Sequence, residues 1–245
     1  MSHGLLTGKS VLVTAAAGAG IGLATARRCA EEGARVVISD IHERRLAEAA
    51  EELGAHAIRA NVTNEDDVQR LLAETIEVCG GLDVLVNNAG LGGEVELTEM
   101  TDEQWFSVLD VTLTGTMRMT RAALRHMCPR RTGAIVNNAS VIGWRAQRGQ
   151  SHYAAAKAGV MALTRCSAVE AAPHGVRVNA VAPSLAVHPF LAKVTSEELL
   201  TELASREAFG RGADPVEVAN VIVFLASDLA SYMTGEVVSV SSQHP

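Results

Sequence analysis

A tyrosine and a lysine stand four residues apart in a run of helix-forming alanines, at Tyr153 and Lys157. On an α-helix this spacing places both side chains on one face, one turn apart. A phenol has an ordinary pKa of about 10, so it exchanges protons poorly at neutral pH. An ammonium about 4 Å away in a partly buried site stabilises the phenolate by roughly 4 kcal/mol, which lowers the pKa by about three. The pair therefore predicts a tyrosine tuned for proton transfer, although a solvated helix face would show the same spacing.

A serine and a glycine-rich loop give this pair its context. Ser140 lies thirteen residues before Tyr153, just after an apolar run, and is predicted to follow a strand. The apolar run 11–14 leads into a loop that ends Gly18-Ala-Gly20-Ile21-Gly22, and a helical pattern follows to Glu32. Glycines allow close backbone approach to a phosphate, and a helix start offers free N–H groups. The order strand, loop, helix predicts a phosphate cradle, although a generic glycine turn is the alternative, and Leu23 stands where the dinucleotide fingerprint has its last glycine.

A carboxylate at Asp40 indicates which dinucleotide this cradle takes. Asp40 ends a predicted strand that begins at Arg35, and it follows Gly20 by twenty residues. This is the spacing of a carboxylate that binds the adenosine ribose hydroxyls, and its charge repels a 2′-phosphate. Arg44 and Arg45 are assigned to the solvated face of the next helix. NAD is therefore predicted as the cofactor, with NADP less favoured.

These features together resemble the short-chain dehydrogenase/reductase family. Ser140 and Tyr153-x-x-x-Lys157 stand at the family's serine and Tyr-x-x-x-Lys positions. The loop from Thr14 resembles its Thr-Gly-x-x-x-Gly-x-Gly, with Ala15 in place of the first glycine and one extra residue before Gly20. The resemblance covers about residues 7–240. It implies interconversion of a secondary alcohol and a ketone, in which Tyr153 moves the proton, Lys157 lowers the tyrosine's pKa and binds the nicotinamide ribose, and Ser140 orients the substrate oxygen.

The resemblance also implies a set of cofactor contacts. They are Thr14, Gly18, Gly20, Ile21, Gly22, Asp40, Asn61, Val62, Asn88, Ala89, Gly90, Tyr153, Lys157, Pro183 and Ala186. Asn88, Ala89 and Gly90 belong to the segment Asn87-Asn88-Ala89-Gly90, which matches the family's Asn-Asn-Ala-Gly.

At several positions the chain departs from the family pattern. Asn61 stands where the family has an aspartate beside the adenine, and its amide is expected to be a weaker acceptor. Thr112 stands where an asparagine holds a relay water, so it is either part of an altered catalytic relay or a structural helix residue. After Pro183, Ser184 replaces a glycine and His188 a threonine. Backbone groups near Ala186 are expected to hold the carboxamide, and His188 is either a substrate ligand or a surface histidine.

Composition and periodicity supply the frame for this site. Strands alternate with helices about seven times, which predicts a single-domain, Rossmann-like α/β fold with a doubly wound parallel sheet. The cofactor half is expected at about 1–140 and the catalytic and substrate half at about 140–245. A long helix is predicted over 101–127, and a substrate lid over 189–212.

Charge, cysteines and hydropathy exclude several other classes of protein. A formal charge of −7 and 3% aromatic residues argue against nucleic-acid binding. The four cysteines form no Cys-x-x-Cys pair, so free thiols are expected rather than disulfides or a metal site. Neither a signal peptide nor an apolar run of about 18 residues is apparent, so a cytoplasmic protein without a membrane span is expected. The resemblance implies a homodimer or homotetramer.

The substrate is indicated by a more specific resemblance. The segments Thr-Ala-Ala-Ala-Gly, Val-Thr-Leu-Thr, Gly-Trp-Arg-Ala-Gln and the Gln-His-Pro end resemble short-chain dehydrogenases of bacterial steroid catabolism that act on a hydroxy-indane propionyl-CoA ring fragment. Arg145 and Arg148 are then candidate CoA phosphate contacts, or else members of surface or subunit ion pairs. The alternatives are a 3-oxoacyl-thioester reductase of fatty-acid type and, in another class, a cofactor-sensing regulator without turnover.

Overall fold

The computed structural model describes residues 3–187 and 197–242. The strands are β1 (Ser10–Thr14), β2 (Arg35–Asp40), β3 (His56–Arg59), β4 (Val84–Asn87), β5 (Gly133–Asn138), β6 (Val176–Pro183) and β7 (Val237–Val240). The helices are α1 (Ile21–Glu31), α2 (Glu43–Leu53), α3 (Glu65–Cys79), α4 (Asp102–Leu109), α5 (Gly115–Arg130), α6 (Ser151–Ala171), α7 (Glu197–Ser205) and α8 (Pro215–Ala226).

The strands form one parallel sheet in the order β3-β2-β1-β4-β5-β6-β7. The order reverses between β1 and β4, and the crevice that this reversal opens at the carboxyl ends of the strands is where ligands of such sheets bind. The predicted α/β fold with a doubly wound parallel sheet is confirmed. Residues that end neighbouring strands meet at this edge, and Asn87 of β4 pairs with Asn137 of β5.

Both faces of the sheet are covered, which explains why the central strands are continuously apolar. Successive side chains of a strand point to opposite faces. Val11 and Val13 belong to a core with α1 and α8, whereas Leu12 belongs to a second core with α3 and α5. All five residues of β1 are buried.

Polar caps set the start of two helices. Asn64 accepts a hydrogen bond from Asp67 N at 3.0 Å and so begins α3. Asp214 and Glu217 form a capping box at the start of α8, with Pro215 in its first turn.

The long helix predicted over 101–127 is present, since helical backbone continues from Asp102 to Arg130, but its hydrogen-bond pattern changes in the middle. A five-residue π-helical turn at Asp110–Thr114 separates α4 from α5. Thr112 sits inside this turn, and its hydroxyl is bonded to the backbone of Leu91 in a distant loop. Such turns occur mostly where a tertiary contact or a functional site interrupts the helical ladder.

Within the two described segments, none of the helices is both long enough and apolar enough to cross a lipid bilayer.

Candidate active site

Ser140, Tyr153 and Lys157 come together beside the carboxyl end of β5. Helix α6 carries Tyr153 and Lys157 one turn apart, and the Nζ of Lys157 lies 5.5 Å from the centroid of the Tyr153 ring. Lys157 is 4% exposed, and its Nζ donates to the carbonyl oxygen of Asn138 at 2.6 Å. Ser140 is also buried, and its Oγ accepts from Ile142 N at 3.2 Å in the short 3-10 turn Val141–Gly143. The predicted constellation is thus assembled from one strand end and one helix face.

The pKa values of this pair differ from the sequence-based expectation. Burial raises the pKa of Tyr153 above its ordinary value, and a hydrogen bond with Ser140 only partly opposes this rise. Burial also lowers the pKa of Lys157 from 10.5 to about 8. The expected lowering of the tyrosine's pKa by Lys157 is therefore not met, because desolvation disfavours phenolate and ammonium alike. The spacing correctly predicts proximity, but burial controls the protonation.

Thr112 lies next to this pair but is engaged elsewhere. A Cβ atom on Gly90 would lie 3.5 Å from Lys157 Nζ and 3.8 Å from Thr112 Oγ1, so all three residues share one small region. The Thr112 hydroxyl accepts from Leu91 N at 3.0 Å and donates to Leu91 O at 3.2 Å. A hydroxyl has one proton to donate, and this proton is used. The geometry therefore favours the structural alternative for the Thr112 side chain.

The glycine loop between β1 and α1 has the features of a phosphate cradle. Gly20 precedes the first helical residue, Ile21, and no described side chain caps this helix start. The first N–H groups of α1 are therefore free of side-chain caps, as an anion site requires. A Cβ atom on Gly22 would collide with the Ala15 carbonyl and the Asn88 amide, whereas Gly18 has open space around it. A backbone this close to the strand ends fits the pyrophosphate of a dinucleotide.

Ala15 adopts a left-handed conformation, with φ of 52°. Glycine reaches this region without cost, but an L-residue with a Cβ pays roughly 1 kcal/mol. The strained backbone explains why a glycine is expected at this position, where the chain has alanine instead. The Asn88 side chain supports the strained turn, because its Nδ2 donates to Thr14 O at 3.2 Å and to Ala15 O at 3.1 Å.

The Thr14 hydroxyl ties the end of β1 to the segment after β4. Its Oγ1 accepts from Asn88 N at 3.0 Å and from Ala89 N at 3.1 Å. Thr14 and Asn88 thus join the two strand ends that border the crevice.

Asp40 lies at the edge of the same loop. One carboxylate oxygen accepts from Ala17 N at 3.2 Å, and the other accepts from His42 N at 3.0 Å. These bonds hold the carboxylate at the carboxyl end of β2, in the place where a ribose hydroxyl is expected to bind.

Asn61 does not fit its expected role beside the adenine. Its Oδ1 accepts from both the N and the Oγ1 of Thr63, at 3.0 and 2.9 Å. Both lone pairs of the amide oxygen are occupied, so Asn61 shapes the turn before α3 and is not an acceptor for the adenine amino group. Val62, the next residue, is buried and packs against Gly115, where an added side chain would collide with it.

The role of backbone groups near Ala186 in holding the carboxamide stays a prediction; the residue follows Pro183, the last residue of β6. Ala186 pairs with Ala213, through bonds from Ala213 N to Leu185 O at 2.7 Å and from Val187 N to Ala213 O at 3.0 Å. In this parallel pair Ala213 is bonded to the two neighbours of Ala186, so the N–H and C=O of Ala186 itself point away from Ala213. His188, the lid residues 189–196 and the terminal Gln-His-Pro lie outside the described residues, whereas the rest of the predicted lid, 197–212, is described and begins with α7.

Two loops line the rim next to Tyr153. Val95 N donates to Gly149 O at 2.9 Å, which joins the loop after β4 to the loop before α6. Arg148 Nε is paired with Glu96 Oε1 at 2.6 Å, so its side chain follows the ion-pair alternative rather than the phosphate one. Arg145 is half-buried, and it too has an interaction partner.

The sequence interpretation missed Asn138. Its carbonyl holds Lys157, and its Nδ2 donates to Asn88 Oδ1 at 3.0 Å. A second asparagine directly after Asn137, at the end of an otherwise apolar strand, was the available signal.

Comparison with known proteins agrees with the fold. The family model described as enoyl-(acyl carrier protein) reductase matches residues 15–242. The chain is 63% identical to the (5R,7aS)-5-hydroxy-7a-methyl-1-oxo-2,3,5,6,7,7a-hexahydro-1H-indene-carboxyl-CoA reductase of Mycobacterium tuberculosis, over 99% of this chain and 95% of that protein. It is 40% identical to the 3-oxoacyl-(acyl-carrier-protein) reductase FabG of Thermotoga maritima, over 96% of this chain and 97% of that protein.

A solved structure has the same architecture. The crystal structure of a short chain dehydrogenase from Mycobacterium smegmatis superposes with a TM-score of 0.89 at 58% identity, and covers 100% of this chain and 96% of that one. The family match and these relatives span nearly the whole chain, and they make it an oxidoreductase that acts on CH–OH groups. The chain belongs to the short-chain dehydrogenase/reductase family.

Proposed function

We propose that the protein interconverts a secondary alcohol and a ketone on a hydroxy-indane carboxyl-CoA of steroid ring degradation, with NAD as its cofactor. The single observation that carries the chemical part is the contact of Tyr153, Ser140 and Lys157 at the carboxyl edge of the sheet. The bound nicotinamide supplies a hydride acceptor or donor. Tyr153 moves the proton of the substrate oxygen, and Ser140 orients that oxygen and stabilises its developing charge.

Lys157 assists both Tyr153 and the cofactor in this proposal. Its ammonium is held by the Asn138 carbonyl and faces the Tyr153 ring, so it favours the phenolate whenever the tyrosine gives up its proton. The same ammonium can donate to the nicotinamide ribose, because it has three protons and the Asn138 carbonyl takes one.

The substrate assignment rests on the Mycobacterium tuberculosis relative and on the apolar rim. The name of that relative gives a carboxyl-CoA on the ring system, so the proposal adopts this thioester in place of the propionyl-CoA expected from sequence. Leu91 directly follows Gly90, Trp144 directly follows the turn after Ser140, and both side chains are exposed. Exposed apolar groups beside a reacting tyrosine suit a fused hydrocarbon ring.

The preference for NAD rests on Asp40. A carboxylate fixed by two backbone N–H groups can accept from ribose hydroxyls, but it repels a 2′-phosphate. We further infer that the cofactor lies in the half of about 1–140 and the substrate in the half of about 140–245, and that the protein is cytoplasmic.

A homodimer or homotetramer is part of the proposal. Phe106 on α4 and Val169 on α6 are both exposed, although they are large and apolar. Pairing of these helices between two copies would cover both side chains.

The proposed function is tested by measuring initial rates for the ring-fragment CoA thioester and for straight-chain 3-hydroxyacyl-CoAs, each with NAD and with NADP. The expected result is that the ring fragment with NAD gives the highest kcat/KM. Faster turnover of the straight chains would favour a 3-oxoacyl-thioester reductase of fatty-acid type, the activity named for the Thermotoga maritima relative. No turnover of any thioester, despite dinucleotide binding, would favour the regulator.

A further inference from the structure

Two adjacent asparagines at the end of β5 point to opposite faces of the sheet. Asn137 Nδ2 donates to Thr164 Oγ1 of α6 at 2.9 Å, and its Oδ1 accepts from Asn87 Nδ2 at 2.8 Å. Asn87 Nδ2 also donates to Thr120 Oγ1 of α5 at 3.0 Å. Asn137 thus belongs to a buried ladder between the sheet and two helices, and both ends of its amide are bonded.

Asn138 faces the crevice instead. It lies in a chain of hydrogen bonds that crosses the crevice. Its backbone carbonyl accepts from Lys157 Nζ at 2.6 Å, and its Nδ2 donates to Asn88 Oδ1 at 3.0 Å. The Asn88 Nδ2 in turn donates to the carbonyls of Thr14 and Ala15. One continuous path therefore runs from the ammonium beside Tyr153 to the first turn of the glycine loop.

The orientation of both amides in this path is fixed by chemistry. Carbonyl oxygens only accept, so the group of Asn88 that faces Thr14 and Ala15 must be its NH2. Its oxygen must then face Asn138, which must present its own NH2. The Oδ1 of Asn138 is consequently forced into a buried position, where it has no hydrogen-bond partner among the described residues.

This buried oxygen argues against a role in stability alone. An unsatisfied buried acceptor costs about 1–3 kcal/mol, and an apolar side chain of similar shape would avoid that cost. The bond that its NH2 donates to Asn88 is the contact that an apolar side chain of similar shape could not make.

We propose that Asn138 is a positioning residue that fixes the glycine loop relative to Lys157, so that dinucleotide binding and proton transfer share one rigid frame. Its side chain is bonded to Asn88 and its carbonyl to Lys157, and it acts through these two residues. The proposal rests on the dinucleotide-binding role of the loop given above.

The test compares Asn138→Leu with Asn137→Leu, the same substitution one residue earlier on the opposite face. Binding of NAD to the substrate-free protein is measured by calorimetry, together with Tm and with the KM for NAD and kcat in turnover. Asn138→Leu should weaken NAD binding about five- to tenfold, as expected for one lost hydrogen bond. Its KM for NAD should rise more than its kcat falls, and its Tm should stay close to that of the parent protein. Asn137→Leu should lower Tm and leave NAD affinity within about twofold, since it breaks only the ladder.

Second variants keep the comparison decisive if one protein fails to fold. Asn138→Ala removes the same donor, and Thr164→Val breaks the same ladder bond as Asn137→Leu. Unchanged NAD affinity in both Asn138 variants would overturn the proposal, and so would an equal loss of affinity in the ladder variants. If the parent protein itself binds no NAD, it is the proposed function that fails, and this result is distinct from a parent that binds with variants that match it.

Discussion

The two edges of the sheet hold polar groups in opposite ways. At the amino edge, the Asp83 carboxylate accepts from the N and the Oγ of Ser10, both at 2.9 Å, and pairs with Arg130. Arg130 also donates to Leu82 O at 3.0 Å, and Leu82 N donates to His126 at 3.2 Å. Donors meet acceptors, and a positive charge meets a negative one.

The carboxyl edge leaves such groups under-satisfied. The Lys157 ammonium is bonded to a neutral carbonyl, and burial alone accounts for its lowered pKa. Asn138 Oδ1 and His152 Nδ1 are buried without partners among the described residues, and Ala15 is in a left-handed conformation. The contrast indicates that the amino edge contributes stability, while the carboxyl edge carries free-energy costs for the sake of binding and catalysis.

The largest effect is expected for Tyr153→Phe, which removes the proton donor from the carboxyl edge. The rate should fall by about a thousandfold or more, since general acid–base catalysis is worth 10²–10⁴ and Ser140 cannot replace the phenol. NAD binding and Tm should stay near those of the parent protein. Tyr232→Phe is the matched control, because Tyr232 is fully exposed and lies outside α6, the helix that carries Tyr153. Substantial activity in Tyr153→Phe would remove this tyrosine from the mechanism.

Lys157→Met should remove turnover and also change the pH dependence of stability. The pKa of Lys157 in the folded protein is about 8, below its ordinary 10.5, so the unfolded chain binds this proton more tightly. The free energy of unfolding of the parent should therefore rise by roughly 3 kcal/mol between pH 8 and 10.5 on account of this group, and this rise should be absent from Lys157→Met.

Urea titrations at a series of pH values measure that difference. Lys9→Met provides the control, since Lys9 directly precedes β1 at the amino edge of the sheet. Its Nζ lies 4.0 Å from Asp228 Oδ1. If both variants show the same pH dependence as the parent, the burial of the Lys157 ammonium is not costly and the contrast between the edges is lost.

Asp83→Asn probes the satisfied edge and should have the smallest effect, one on stability alone. Burial raises the pKa of Asp83, but hydrogen bonds from Ser10 and the charge of Arg130 hold it below its usual range. A group of this kind stabilises the fold above its unfolded pKa, and the contribution is lost as the pH falls through the folded value. The variant should lose about 2 kcal/mol at pH 7, a fall in Tm of about 5 °C, and the difference should shrink near pH 3.

Its kcat should match the parent's. Asp228→Asn, at a well-exposed position, should change the free energy of unfolding by less than about 0.5 kcal/mol. A loss of kcat in Asp83→Asn would show that the two edges are coupled.

Much of the fold followed from local pattern, because apolar strands and capped helices depend on neighbouring residues. Asn64 and Asp214 cap their helices through bonds to backbone groups no more than three residues away. The π turn around Thr112 did not follow, since it accompanies a contact with Leu91, twenty-one residues earlier.

The candidate site divides in the same way. Spacing brought Ser140, Tyr153 and Lys157 together, because helix periodicity and a strand end are local properties. The direction of the Tyr153 pKa, the use of Asn61 in a turn and the pairing of Arg148 with Glu96 depend on burial and on partners distant in sequence. Asn138 could be distinguished from Asn137 only once the structure showed which face of the sheet each side chain occupies.

The methyl group of Ala15 has a consequence for how the loop meets its ligand. A left-handed backbone is disfavoured for alanine, so this turn keeps its shape because Asn88 binds the carbonyls on both sides of the strained residue. Less entropy then remains to be lost when a nucleotide arrives. We therefore expect the bonds from Asn88 to keep this turn in its nucleotide-binding shape before the ligand arrives.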